Sequence, residues 1–97
     1  MQRAAAIAAL KAHETELKRL GVEHLYLFGS TARDEARPDC DIDLFIDHPE
    51  ATLGPFELMD LQDATTRILG HNADIMTRRS LHPVLRNRIE ASALQIF

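Results

Sequence analysis

The chain of 97 residues is 45% hydrophobic and 27% charged, and it carries a formal net charge of −4. This length predicts a single domain over residues 1–97, and the mild acidity argues against the broad basic surface that binds nucleic acid non-specifically. The lone cysteine excludes an intrachain disulfide, and no apolar run approaches the roughly 18 residues of a membrane span. We therefore expect a cytoplasmic domain that does not contact a membrane.

The first half of the chain predicts two helices and two strands. Apolar residues recur at helical spacing over residues 2–20, and Gly21 suits the C-cap that ends this helix. The apolar run VEHLYLFG then predicts a buried strand over residues 22–28. STARDEA predicts a short helix that stops at Pro38, and the alternation in DIDLFID predicts a second strand over residues 41–47.

The second half predicts a helix, a strand and a last helix. PFELMDLQDATTRILG has Pro55 in its first turn and Gly70 at its end, as helices prefer. ADIMT predicts a third strand over residues 73–77, and SLHPVLRNRIEASALQIF predicts a final helix to the end of the chain. The order predicts a small α/β fold, with a mixed sheet of three strands, or slightly more, and flanking helices.

The lengths of the connections predict how the strands pair. About a dozen residues join the first two strands, too few for a parallel crossover, so these strands should be antiparallel. A long helix joins the second and third strands, which should therefore be parallel. This topology brings the Gly29–Ser30 turn to the same sheet edge as three carboxylates, those of Asp41, Asp43 and Asp74.

The carboxylates at that edge predict a divalent cation. Asp41 and Asp43 are two positions apart in an extended segment, so their side chains should share a face. Carboxylates so close together disfavour joint ionisation unless a cation lies between them. Mg²⁺ prefers hard oxygen ligands and keeps positions for water and phosphate, so these two residues with Asp74 would form an incomplete cage that a nucleoside triphosphate completes.

The turn before the carboxylates suits a triphosphate. Gly29 allows close backbone approach, the first N–H groups of the following helix are free to bind an anion, and the Ser30 hydroxyl can donate to phosphate. Arg33 lies three residues after Ser30, on the same helical face, and can bind phosphate oxygens as a fork. Metal and phosphate binding together indicate phosphoryl or nucleotidyl transfer.

FGSTAR, DCDIDL and ADIMT, followed by LHPVLRNRIEASA, resemble the minimal nucleotidyltransferases of the DNA polymerase β superfamily. The resemblance is strongest to the MNT-domain antitoxins encoded beside HEPN-domain toxins, and it extends from the first helix to the last. The family pattern Gly-Ser-x10-Asp-x-Asp falls on Gly29, Ser30, Asp41 and Asp43, and the third carboxylate falls on Asp74. Two positions differ from the family pattern. Cys40 stands where the family usually has serine, and Asp34 stands where it often has glycine.

The resemblance implies Mg²⁺-dependent transfer of AMP from ATP to a tyrosine of a HEPN-type RNase toxin, which silences that partner. It implies two metal ions held by Asp41 and Asp43, with Asp74 completing the site and accepting the proton of the attacking hydroxyl. Gly29, Ser30 and Arg33 would hold the triphosphate. Two other functions stay open, namely a non-catalytic antitoxin that only binds the toxin and a nucleotidyltransferase that acts on RNA ends.

Two further sets of residues each allow two interpretations. One set forms either a solvated helix face or a patch for ATP phosphate or an acidic partner surface, and comprises Arg78, Arg79, Arg86 and Arg88. The other set either docks the partner or closes the domain's own core, and comprises Leu94, Ile96 and Phe97.

Overall fold

A computed structural model of the chain describes residues 2–32, 41–48 and 54–97. None of the helices in these ranges is both long and apolar enough to span a membrane. The elements, in chain order, are α1 (Arg3–Ala12), α2 (Glu14–Arg19), β1 (His24–Phe28), α3 (Gly29–Ala32), β2 (Ile42–Asp47), α4 (Pro55–Leu69), β3 (Ala73–Thr77), a 3₁₀ turn (Arg78–Ser80), α5 (Pro83–Ser92) and β4 (Leu94–Gln95).

The strands of the described ranges form one mixed sheet in the order β3-β2-β1-β4. β1 pairs with β2 in antiparallel orientation, and β2 pairs with β3 in parallel orientation. Both pairings confirm the prediction made from the connection lengths. The predicted α/β fold with a small mixed sheet is also confirmed, and the sheet has one strand more than the three that the sequence identifies.

One face of the sheet carries the main core. Alternate residues of the three longer strands point to this face, where α1, α2 and α4 pack over them. Each side chain of this core set is at most 4% exposed, and the set comprises Ala6, Leu10, Leu17, Leu25, Leu27, Ile42, Leu44, Ile46, Leu61, Leu69, Ala73 and Ile75. The core thus follows the period-2 and helical patterns of the sequence.

The opposite face of the sheet carries a smaller aromatic cluster. Phe28, Phe45 and Leu81 are buried there, and the Tyr26 ring stacks on that of Phe45 with centroids 4.7 Å apart. Ile89 of α5 packs against the same cluster. Since Asp43 is two residues from Phe45 on β2, the carboxylate end of the site lies on the face that α5 covers.

The C-terminal segment corrects the sequence prediction. The last helix ends at Ser92, and Leu94–Gln95 pairs with the outer edge of β1 instead of continuing the helix. The Ile96 N–H donates to the Leu25 carbonyl at 2.7 Å, and the Ile96 side chain is 4% exposed. Leu94, Ile96 and Phe97 all pack on the main core, so of the two interpretations the one in which they close the domain is confirmed.

The prediction for the first helix also needs correction. The segment predicted as one helix over residues 2–20 is two helices that meet at His13, which leaves the helical conformation at φ −110° and ψ 20°. In α5, Val84 and Leu85 are apolar but are 77% and 45% exposed. They are exposed because α5 turns Ile89, and not these residues, toward the aromatic cluster.

Candidate active site

The turn that follows β1 brings the backbone against a carboxylate. Gly29 begins α3 with φ +77°, a left-handed conformation that favours glycine. A Cβ at this position would lie 3.3 Å from the Asp43 Cγ and closer still to its Oδ2. Glycine is therefore required at this position for two reasons. It adopts the left-handed backbone conformation readily, and it has no side chain to collide with the Asp43 carboxylate.

Asp43 lies at the centre of the sheet edge. Its Cα pairs with Phe28 of β1 on one side and with Asp74 of β3 on the other. Register partners on neighbouring strands are about 4.8 Å apart and project to the same face of a sheet. The sheet therefore places the Asp43 and Asp74 carboxylates side by side, as predicted from topology.

The other predicted residues lie at or beyond this edge. Asp41 comes immediately before β2 and is exposed, and Asp74 is also exposed, whereas Asp43 is half-buried. Ser30 belongs to the first turn of α3, next to Gly29. Arg33 lies outside the described residues, so its predicted role in phosphate binding stays a prediction.

The chemistry of these donors suits Mg²⁺. In the described part of the chain, no three acidic, histidine or cysteine side chains form a ready-made metal cage. Asp41, two residues before Asp43, and Asp74, on the neighbouring strand, nonetheless offer exposed hard oxygen donors. Because Gly29 has no Cβ, the Asp43 carboxylate is not blocked by a side chain at that position. An open carboxylate edge of this kind fits a cation that takes one or two carboxylates and completes its shell with water and substrate phosphates.

Comparison with known proteins identifies the family. The model of the family described as "Nucleotidyltransferase domain" matches residues 10–96. The chain belongs to the nucleotidyltransferase domain family. The resemblance found in the sequence is confirmed, and the match extends from α1 past β4.

Relatives of this nucleotidyltransferase are named as enzymes that act on proteins. "Putative protein adenylyltransferase MJ0435" of Methanocaldococcus jannaschii is 32% identical over 80 residues, which cover 82% of this chain and 85% of that protein. "Protein adenylyltransferase MntA" of Thermococcus cleftensis is 34% identical over 73 residues, 74% of this chain and 73% of that one.

Solved structures share its fold. A structure described as a "putative minimal nucleotidyltransferase" matches with a TM-score of 0.84 and 32% identity, covering 97% of this chain and 95% of that one. A chain from the structure of tri-AMPylated Shewanella oneidensis HEPN toxin in complex with MNT antitoxin matches with a TM-score of 0.67 and 20% identity. It covers 94% of this chain and 71% of that one, and at this identity the likeness concerns the fold.

A carboxylate outside the predicted site, that of Asp47, has a structural role in the nucleotidyltransferase. Asp47, at the far end of β2, accepts two hydrogen bonds from the Arg78 guanidinium, at 2.7 and 3.0 Å. Arg78 also donates to Glu90 at 3.1 Å, and its guanidinium lies 4.8 Å from the centroid of the Tyr26 ring. The hydrogen bonds to Asp47 raise the pKa of Arg78 above its already high ordinary value.

This network joins β2, the 3₁₀ turn and α5 on the aromatic face. Sequence reasoning grouped Arg78 with the solvated or phosphate-binding arginines, but the structure assigns it to a half-buried ion pair. Arg86 also pairs with Glu90, at 3.0 Å. Asp47 is 31 positions from Arg78, so residue spacing did not indicate that pair. Arg86 and Glu90 are four positions apart on α5, which is the spacing of a helical ion pair.

A groove beside Gly29 was also missed by sequence reasoning. It has a volume of about 510 Å³ and lies between the end of β1 and one face of α5. Its α5 residues recur at helical spacing, which is the only sequence signal that could have indicated a common face. The groove is lined by Phe28, Gly29, Leu85, Arg88, Ile89 and Ser92.

Proposed function

We propose that this nucleotidyltransferase transfers AMP from ATP to a tyrosine of a cognate HEPN-type RNase toxin and thereby neutralises it, in a reaction that requires Mg²⁺. The observation that carries the proposal is the register of Asp43 with Asp74, with Gly29 held against Asp43. The names of the relatives support protein adenylylation, and the fold shared with the AMPylated toxin complex supports the partner.

Asp41, Asp43 and Asp74 would hold Mg²⁺, which when bound neutralises phosphate charge and makes the α-phosphorus a better electrophile. The Gly29–Ser30 turn presents backbone N–H groups to the triphosphate. The half-buried Asp43 is constrained by its neighbours on both strands and by Gly29, so it serves to hold the cation rather than to move protons.

The proton of the acceptor goes to Asp74. A tyrosine hydroxyl has a pKa near 10, so at neutral pH it attacks only when a base accepts its proton. Asp74 is exposed on the outer strand β3, where an incoming protein side chain can reach it. The phenolic oxygen bonds to the α-phosphorus of ATP, the bond from that phosphorus to the bridging oxygen breaks, and pyrophosphate leaves.

Mass spectrometry of the partner tests this function. We expect the partner to be a small helical protein with an R-x4-H-x-Y pattern, encoded by a neighbouring gene. Incubated with this chain, ATP and Mg²⁺, the intact toxin should gain AMP on one tyrosine and lose RNase activity. EDTA should prevent the gain, and a short peptide with the same tyrosine should react far more slowly, because the docked fold positions the acceptor.

A matched pair of variants isolates the base. Asp74→Asn should lower the transfer rate by about 10²–10⁴-fold, the range for loss of a general base. Asp60→Asn removes the same charge from an exposed position of α4 and should react at the normal rate. Neutralisation without a gain in mass would instead establish a binding antitoxin, and adenylylation of RNA ends in place of the toxin would establish the RNA-directed function.

A further inference from the structure

A cleft lies at the end of the sheet opposite the candidate active site. β2 and β3 are parallel, and their carboxyl ends are at Asp47 and Thr77. The helix after β2, α4, packs on the main core face, whereas the helix after β3, α5, packs on the aromatic face. Where neighbouring parallel strands send their connections to opposite faces of a sheet, the crevice beyond their carboxyl ends is a favoured place for a ligand.

This arginine cleft is separate from the carboxylate edge. Asp43 and Asp47 are four positions apart on β2, so the two sites lie roughly 13 Å from each other along the strand. The cleft has a volume of about 180 Å³, below the roughly 300–1,000 Å³ of sites that hold drug-sized molecules, so it suits a small ion better than a nucleotide. Its polar lining comprises Asp47, His48, Thr77, Arg78, Arg79 and Arg86.

The described residues of the cleft carry more positive than negative charge. Three arginines line it, and the two carboxylates bonded to Arg78 and Arg86 are those of Asp47 and Glu90. Arg78 donates to Asp47 from Nε and Nη2 and to Glu90 from Nη1. Its guanidinium is therefore engaged with the protein and holds the walls of the cleft together.

Arg86 is the cation best placed for a ligand. It donates to Glu90 through Nε at 3.0 Å, and within the described ranges its Nη1 and Nη2 donate to no other group. Arg79 and Arg86 are both exposed, so an ion that enters from solvent can reach both of them. Guanidinium groups bind phosphate oxygens through forked pairs of hydrogen bonds, which makes a phosphate the anion that such a site recognises.

We propose that the arginine cleft binds a phosphate ion, to which Arg79 and Arg86 donate while Arg78 fixes the walls. A tetrahedral phosphate presents oxygens to several walls at once, whereas a carboxylate presents two oxygens in one plane. The bound ion connects the end of β2, the turn after β3 and α5, so it stabilises the folded chain. This inference does not depend on the proposed function, because the cleft lies at the other end of the sheet.

An NMR titration of the nitrogen-labelled chain with inorganic phosphate, in EDTA and at constant pH and ionic strength, tests the site. EDTA matters because the carboxylate edge repels an anion when no divalent cation is bound there. The amide signals of His48, Thr77 and Arg79 should shift and saturate together, whereas that of Gly29 should not move. Absence of saturable shifts, or shifts confined to the Gly29 turn, would overturn the inference and leave the proposed function untouched.

Three charge-matched variants show which arginines bind the ion. Arg86→Gln and Arg79→Gln should each weaken phosphate binding by about 10-fold, the effect of losing charge-assisted hydrogen bonds. Arg88→Gln removes the same charge from a position of α5 that lines the other groove, so it should bind phosphate as the unaltered chain does. Equal weakening by all three variants would show that net charge alone attracts the ion, which would overturn the site.

Glu90→Gln separates the charge of Arg86 from the packing of α5. This variant removes a carboxylate that competes for Arg86 but keeps the guanidinium, so it should bind phosphate at least as tightly as the unaltered chain. If Glu90→Gln instead lost as much affinity as Arg86→Gln, the position of α5 and not the guanidinium would be responsible, and the assignment of Arg86 would be wrong. Acetate should bind far more weakly than phosphate, and equal affinities would overturn the choice of ligand.

Discussion

At the residue scale, Gly29 is the position where the backbone most restricts the side chain. An alanine there meets the Asp43 carboxylate and must also adopt φ +77°, whereas Gly70 has a similar φ of +69° with no atom within 4 Å of its hypothetical Cβ. Gly70→Ala should therefore cost only the left-handed conformation, about 1 kcal/mol. Gly29→Ala should lower the free energy of unfolding by about 1–2 kcal/mol more.

Urea denaturation of the two variants measures this difference. The same Gly29→Ala chain should also lose ATP affinity in Mg²⁺, because the added methyl displaces Asp43, whereas Gly70→Ala should keep it. Equal destabilisation of the two variants would show that Asp43 yields to the methyl group and that the close approach has no energetic consequence.

Tyr26 provides a test of the aromatic face at high pH. Burial, and next the neighbouring Asp47 carboxylate, raise the pKa of Tyr26 above its ordinary value of 10.0. The unfolded chain therefore loses this proton first as pH rises. The stability linked to Tyr26 is fully present below pH 10 and is lost as pH rises from there through the raised pKa of the folded state.

Tyr26 is the only tyrosine of the chain, so tyrosinate absorbance reports its titration directly. The midpoint for the folded protein should lie above 10, and Tyr26→Phe should lose less stability than the unaltered chain between about pH 9 and about pH 11. A midpoint at or below that of the urea-unfolded protein would contradict the half-buried position of Tyr26 beside Asp47.

At the element scale, the short strand β4 connects the C-terminus to the core. Ile96 is 4% exposed and its N–H bonds to β1, so Ile96→Ala should lower the free energy of unfolding by about 2–4 kcal/mol. Val84→Ala removes apolar atoms from a side chain that is 77% exposed, so it should change the free energy of unfolding by less than about 0.5 kcal/mol.

Thermal and urea unfolding of the two variants decide between the interpretations of the terminal residues. If Ile96→Ala unfolded like the unaltered chain but failed to bind the proposed toxin partner, the terminal segment would serve as a docking surface after all. The structural reason for expecting otherwise is that β1 would present an unpaired edge without β4, and an unpaired edge exposes backbone groups that pair with other chains.

At the scale of the whole molecule, a chain of 97 residues has little material for an acceptor pocket. In the part of the chain that the structure describes, nearly all of the larger apolar residues pack on the two faces of one sheet. The exposed exceptions in the described ranges are Phe56, Met59, Val84 and Leu85, all on helices. This distribution agrees with an enzyme that binds its nucleotide itself and leaves the geometry of the acceptor to the partner protein.

The sequence by itself determined the edge on which the proposed function depends. The short connection after β1 and the helical crossover before β3 allow one arrangement of strands, and that arrangement places Gly29, Asp43 and Asp74 together. Connection length and hydrophobic period are local properties of the sequence, so they can be read without knowing which elements pack against each other. They also determined which face of each strand enters the core.

Only the tertiary structure decided what each polar side chain meets. Asp47 and Arg78 are 31 positions apart, and their pairing depends on the register of two strands and on the turn after β3. The rotation of α5 similarly separates Arg88 from Arg86, although both belong to one short run of sequence. Periodicity reports which side of an element is buried, but the partner across the gap depends on how elements pack, and that is a property of the whole fold.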